Sequence, residues 1–423
     1  LPYPHSRFTL CLFYAGVFLL GAVTLIRYGF IFEKNNMVDF LCYIDCTAAT
    51  MKGFDYFNIR YLILYEWDDP LIVYPGMTLF FVPWTLLQPM LARLIYFLLS
   101  VVATFFVFIQ IFKISGLLER INFKKPDYLT ALFFLSGLIY FNSSPVLMCL
   151  RHGQSCTWIT LGLVLFLKFR NHYAQSITLA LTALMKYSML PFFALLLLVK
   201  RKFSVCFLAF LLFALLSCYV IFLEHNPILL YIRYIEVVSE NITSGFNSFS
   251  KSGYNMVQLE FFTLVYLNHF AKLVVAIMIL YVFFRERKSR DISLNTLLFI
   301  MSATMLISYH RLYDIGIVVL LLLLKLNFLV RRKDWLNSLI CAGFCFILFI
   351  PMTWIFYISE WWSNCFPSWN VVFITTKFTP FTRLLPVPAW IMFFLTFYLF
   401  HIYQSRKNDY IFHLSEKEKG IES

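Results

Sequence analysis

Long apolar runs, each close to the length of a bilayer crossing, punctuate the chain: Phe8 to Ile26, Met90 to Phe112, Phe203 to Leu223 and Phe261 to Phe284 are among them. A hydrocarbon core about 30 Å thick takes roughly 20 helical residues per crossing. The 423 residues therefore hold about ten crossings and their loops. Hydrophobic residues make up 61% of the chain and charged residues only 13%, which excludes an ordinary soluble domain, a disordered chain and a nucleic-acid-binding module. The formal net charge of +13 is first a matter of topology, because Lys and Arg collect on the cytoplasmic side of polytopic proteins.

Counting Phe8 to Ile26 as a retained helix entering from the cytoplasm sets the sidedness. Residues 27–73, with acids from Glu33 to Asp69, form a large first extracytoplasmic loop. Pro75 to Leu87 is short and carries Pro83, so it reads as an interfacial or half-inserted helix rather than a span. Met90 to Phe112 then runs inward. Tyr128 to Leu150 goes out, and Ser155 to Phe169 returns. Residues 173–199 start and end on one side and read as a hairpin of two short helices with Lys186 near its tip. Further spans are Phe203 to Leu223, Phe261 to Phe284, Ser293 to Ser308, Tyr313 to Val330, Leu336 to Ile358 and Pro388 to Tyr403. Most of the 35 basic residues fall on the cytoplasmic side of this scheme, and both termini do as well. The fold class expected is an all-α polytopic transmembrane helical bundle with about 10–12 membrane helices. Ten cysteines show no metal-ligand spacing, and Cys42 with Cys46 reads as a free pair on a helix, since bridge geometry fits i,i+4 poorly.

Ionisable side chains near lipid are costly and are functional candidates by default. Four neighbourhoods stand out, all toward the outer face: Asp39, the Arg151-His152-Gly153-Gln154 turn, Lys186, and the stretch His310-Arg311-Leu312-Tyr313-Asp314. Lys186, Arg151, Arg311 and His310 are the residue types that surround a phosphate. A carboxylate disfavours that phosphate, so Asp39 belongs across the reacting centre, where a general base is needed. Plainer readings stand beside these. Asp39 is equally a solvated loop acid, Lys186 suits snorkelling to the interface, Arg311 with Asp314 suits a local salt bridge, and His152 suits a structural role. The cluster Glu66 to Asp69 reads as a solvated turn.

Asp39-Phe40-x-x-Tyr43, then Ala48-Ala49 and Lys52-Gly53-x-Asp55-Tyr56, resembles the first-loop signature of GT-C glycosyltransferases of family 87. That family includes polyprenol-phosphate-mannose-dependent mannosyltransferases. Tyr74-Pro75 is similar to the start of its Tyr-Pro-Pro segment, with Gly76 in place of the second proline. Gly153-Gln154 after a span, Lys186 with Pro191 in a short hairpin, and His310 to Asp314 follow in the family's order. The resemblance spans roughly residues 5–330 and implies a GT-C fold and inverting transfer of a hexose, mannose first, from a polyprenyl-phosphate donor to a lipid or glycan hydroxyl. It implies Asp39 as catalytic base. Lys186 and His310, with Arg311 and Arg151, would lie by the donor phosphate, and Tyr43, Tyr74, Gln154, Tyr313, Asp314 and His152 would support donor or acceptor. The expected organisation is a catalytic transmembrane module over 1–330, C-terminal helices over 331–404 and a cytoplasmic tail over 405–423, in a bacterial inner membrane. No metal or other cofactor is required by the sequence. The rival reading is a transporter or flippase of lipid-linked sugars.

Overall fold

The apolar runs form helices because backbone groups in lipid must close their own hydrogen bonds. The computed structural model describes residues 24–29 and a few positions before them, 37–54, 56–57, 73–121, 128–222, 228–237, 239, 265–289, 291–307, 312–349, 387–405 and 411–412. In chain order the labelled helices are α1 (Val38–Met51), α2 (Pro89–Ile114), α3 (Tyr128–Asn142), α4 (Ser144–His152), α5 (Cys156–Lys168), α6 (His172–Lys186) and α7 (Pro191–Val199). They continue with α8 (Phe203–Ser217), α9 (Val265–Glu286), α10 (Leu294–Ile307), α11 (Gly316–Arg331), α12 (Trp335–Phe349) and α13 (Val387–Ser405). A two-residue antiparallel pairing, β1 (Ile292–Ser293) with β2 (Ile411–Phe412), ties the C-terminal segment to the start of α10. The architecture is an all-α bundle.

Two helices, Pro89–Ile114 and Phe203–Ile221, are each long and apolar enough to cross a bilayer. The expected span Tyr128 to Leu150 is instead a bent pair, broken by 44° between Asn142 and Ser144. Pro145 at the start of α4 supplies the break. Asn142 fills it by donating to Thr24 Oγ1 at 2.9 Å and to the Leu138 carbonyl at 3.1 Å. Among the described residues, α5, α10, α12 and α13 are apolar but present shorter windows than a full crossing. The 10–12 expected spans are therefore not all continuous helices of span length. Pro75–Phe81 is a 3-10 helix followed by a single turn at Val82–Thr85, so this segment is not a continuous helix of span length.

Helices α10 and α11 form the centre: nearly every residue of α10 is buried, and α11 is buried from Gly316 to Asn327. Around them, α6 packs on both α5 and α8, α2 on α5, α10 on α13, and α11 on α12. The outer helices turn apolar faces outward, with Phe203, Phe207 and Phe210 of α8 all more than 60% exposed. Such faces are the normal boundary of a protein whose solvent is lipid.

The largest departure from the sequence reading is inside the first loop. Residues 38–51 are a packed helix, and ten of its side chains are buried, Asp45 among them at 0% exposure. Tyr56 closes this region by donating to the Val73 carbonyl at 2.6 Å, and burial pushes its phenol pKa up. The acids Glu66, Asp68 and Asp69 lie outside the described residues.

Candidate functional site

Helix α1 starts under strain. Met37, its N-cap, sits in the left-handed region at φ 46°, although Met37 is not a glycine and its side chain is 1% exposed. Left-handed backbone costs roughly 1–2 kcal/mol for a residue with a Cβ, so the surrounding packing must hold it. Gly153 takes part in that packing. It ends α4 at φ +69°, donating to the Leu150 carbonyl at 3.3 Å, while Gln154 N donates to the Cys149 carbonyl at 2.9 Å. A Cβ on Gly153 would stand 2.6 Å from Phe40 Cβ and 3.0 Å from Met37 Cε. The α4–α5 turn and the start of α1 therefore touch backbone against side chain, which only glycine permits.

That contact brings Asp39 to His152, with Oδ2 and Nδ1 3.7 Å apart and the side chains 29% and 36% exposed. At this distance the pair interacts electrostatically rather than by a hydrogen bond. One turn on, Tyr43 donates to Gln154 Oε1 at 2.7 Å, both side chains buried. Phe40 stacks on Tyr96 with centroids 4.1 Å apart and meets Trp84 edge-on at 5.7 Å. The base candidate thus stands on a rigid aromatic floor. Arg151, which precedes His152 in the chain, is exposed.

A second cluster forms two residues further along the same turn. Lys186, at the end of α6, donates to Asp314 Oδ2 at 2.6 Å, and Cys156, at the start of α5, donates its thiol to Asp314 Oδ1 at 2.8 Å. Asp314 is fully buried and Lys186 is 20% exposed. The sequence reading placed Lys186 among cations facing a lone acid across the cavity. The structure sets a carboxylate directly on it, so this side is a paired charge rather than a purely cationic wall. From His152 to Cys156 the chain spans four residues, at most about 14 Å when extended, so the two clusters belong to one rim. The turn Leu312–Ile315 that carries Asp314 packs on α4. His310 and Arg311 lie outside the described residues, as does the side chain of Tyr313.

Tyr74 joins the rim from a third direction. Its ring lies 5.5 Å from that of Tyr187, the residue after Lys186, and is surrounded by Phe213, Tyr231 and Tyr234 at 5.5–5.9 Å. Its hydroxyl is 2.9 Å from Ser217 Oγ, and Tyr234 donates to the Tyr187 hydroxyl at 3.0 Å. Burial raises the phenol pKa values of Tyr231 and Tyr234. These rings are flat apolar faces with polar edges, suited to holding a molecule that is partly apolar and partly hydroxylated. This cluster also accounts for Gly76: a Cβ there would meet Tyr74 Cε1 at 2.7 Å and Ser217 Oγ at 2.9 Å.

Sequence reasoning missed Cys156, Tyr187, Tyr231 and Tyr234 as parts of this rim. For the two later tyrosines, spacing by three within a single stretch was a usable signal; for Cys156 there was none. Among the described residues no three His, Cys, Asp or Glu side chains converge as metal ligands.

The model of glycosyltransferase family 87 matches residues 74–309, more than half of the chain. The match takes in Tyr74, Arg151 to Gln154 and Lys186; Asp39 and Tyr43 lie before it and His310 to Asp314 after it. No curated protein and no solved structure matches the chain.

Proposed function

The chain belongs to glycosyltransferase family 87 and is a membrane glycosyltransferase; from that premise we propose that it transfers a hexose, mannose first, from a polyprenyl-phosphate donor to a hydroxyl of a lipid or glycan acceptor at the extracytoplasmic face. Asp39 is the general base. As the acceptor oxygen forms its bond to the anomeric carbon, its proton passes to the Asp39 carboxylate. The bond from the anomeric carbon to the phosphate oxygen breaks, and polyprenyl phosphate leaves with the electron pair. One carboxylate suffices, and the displacement inverts the anomeric centre.

The observation that carries this reading is the contrast among three acids, two on α1 and one on the Leu312–Ile315 turn. Asp45 and Asp314 are buried, and Asp314 is engaged by Lys186 and Cys156. Asp39 is partly exposed at the start of a packed helix, with His152 beside it. It is the acid among these three that an acceptor can reach. Lys186 steadies the leaving phosphate, shared between that anion and Asp314, while Arg151, His310 and Arg311 add charge from neighbouring chain. Tyr74 with its ring neighbours, Tyr313, Tyr43 and Gln154 shape the donor and acceptor surfaces. The membrane is the bacterial inner membrane.

The test is reconstitution into liposomes with polyprenyl-phosphate hexose labelled in the sugar. Covalent transfer is expected. Movement of the intact donor across the bilayer without transfer would establish a flippase instead. Asp39→Asn should lower turnover by about 10²–10⁴-fold, the usual contribution of a general base, with donor affinity retained. Turnover at the wild-type rate in a folded Asp39→Asn protein removes Asp39 from the mechanism.

A further inference from the structure

At the end of the bundle remote from Lys186, helix α7 stops beside the start of α8 and the end of α9, leaving a cavity of about 480 Å³. This lies within the size range of small-ligand sites, about 300–1,000 Å³. Its lining carries four cations, Lys200, Arg201, Arg287 and Lys288, and no acid. Two carboxylates neighbour the lining: Asp291, whose backbone bonds Ser289 Oγ, and Glu286, which is already bound. Lys200, 1% exposed, forms an ion pair with Glu286 Oε2 and donates to its backbone carbonyl at 3.1 Å, and Tyr403 donates to Glu286 Oε1 at 3.1 Å. The floor is thus locked and neutral, and Arg201, Arg287 and Lys288 remain as surplus positive charge around the opening. Arg287 is held in place with its guanidinium 4.0 Å above the Phe284 ring.

The ending of α7 makes the charge at Arg201 conspicuous. Arg201 N donates to the Leu198 carbonyl and Lys202 N to the Leu197 carbonyl, both at 2.9 Å, with Arg201 at φ 61°. This is the helix ending in which glycine is the usual residue, and Gly116 and Gly153 fill the same position after α2 and α4. Lys333 takes it after α11, so the fold accepts a cation there at the cost of strain. What distinguishes Arg201 is the cavity that its side chain borders. A cation at a helix C-terminus ordinarily complements the dipole, and Lys200 already does so for α7.

Apolar side chains line the cavity beside these cations. Leu198 and Phe203 form its wall, 37% and 61% exposed, and the exposed strip continues along α8 through Phe207 and Leu211. A ligand seated here would place an anion among the cations and an apolar tail along α8. We propose that the cavity binds the phosphodiester headgroup of an anionic phospholipid from the surrounding bilayer. Basic pockets between membrane helices hold such headgroups by this combination of charge and apolar contact.

The experiment is native mass spectrometry of the full-length protein titrated with phosphatidylglycerol, with phosphatidylcholine of matched chains, and with inorganic phosphate alone. Wild type should retain phosphatidylglycerol over phosphatidylcholine, and millimolar inorganic phosphate should not displace it. Arg201→Gly should weaken phosphatidylglycerol binding about fivefold, the effect of one cation near an anionic surface, while the melting temperature holds or rises as the strained ending relaxes. Arg287→Ala and Lys288→Ala, at exposed positions that leave the helix ending intact, should weaken it similarly. Equal retention of the two lipids by wild type overturns the proposal. So does unchanged selectivity in these variants. Displacement by inorganic phosphate would mark a soluble-anion site instead.

Discussion

Gly153→Ala puts the largest load on the structural account of Asp39. Two effects add at this position. The residue sits at φ +69°, where a Cβ costs roughly 1–2 kcal/mol. That Cβ would also lie 2.6 Å from Phe40 Cβ and 3.0 Å from Met37 Cε, and overpacking of this kind costs about 1–3 kcal/mol. The sum is about 2–5 kcal/mol. Gly116 provides an internal control: its φ is +66°, but nothing lies within 4 Å of an added Cβ, so Gly116→Ala should lose only the first part. Unfolding of both variants in detergent gives the difference directly. Turnover gives the second readout, because Phe40 can yield to the new methyl only by moving the start of α1, and Asp39 is its immediate neighbour. A displacement near 1 Å from a reacting geometry costs about a hundredfold, so Gly153→Ala should fall by that order while Gly116→Ala keeps wild-type turnover. Equal destabilisation of the two variants, together with wild-type turnover in Gly153→Ala, refutes the idea that the α4–α5 turn positions Asp39.

Lys186→Met leaves the buried carboxylate of Asp314 without its ion partner and should cost about 3–5 kcal/mol; Lys186→Met/Asp314→Asn should recover much of that loss, and a double variant no more stable than the single one contradicts the pairing. Tyr43→Phe removes the donor to buried Gln154 Oε1 and should cost about 1–3 kcal/mol in unfolding measurements. Gly76→Ala drives a methyl into Tyr74 and Ser217 and should cost about 1–3 kcal/mol; a neutral outcome would mean that the tyrosine cluster is loose.

What could be read from the sequence was what lipid dictates. Helix α2 and the hairpin of α6 and α7 follow from apolar length, Pro191 and the charges at their ends, and Pro83 marks the broken helix of residues 75–85. The burial of helix α1 was hidden for the opposite reason. Its buried positions include Cys42, Tyr43, Asp45, Cys46, Thr47 and Thr50, which by composition belong to a polar loop. They are buried because partners meet them: Thr47 and Thr50 return their hydroxyls to carbonyls one turn back, and Tyr43 reaches Gln154 across 111 residues. No periodicity of apolar residues records such bonds. The break after Asn142 was hidden because hydropathy averages over a bend, and the partner of Lys186 because Asp314 is 128 residues away. Asp39, Arg151 to Gln154, Lys186 and Asp314, which the family's order of motifs singled out, occur at the ends of elements that lie close together in the bundle. The sequence pattern carries the positions of these residues but not their charge balance. Lys186 reads as a free cation until Asp314 is seen against it, and on the proposed mechanism that pairing changes what the residue would offer a phosphate: an ammonium already held by a buried carboxylate, its attraction for an incoming anion partly spent.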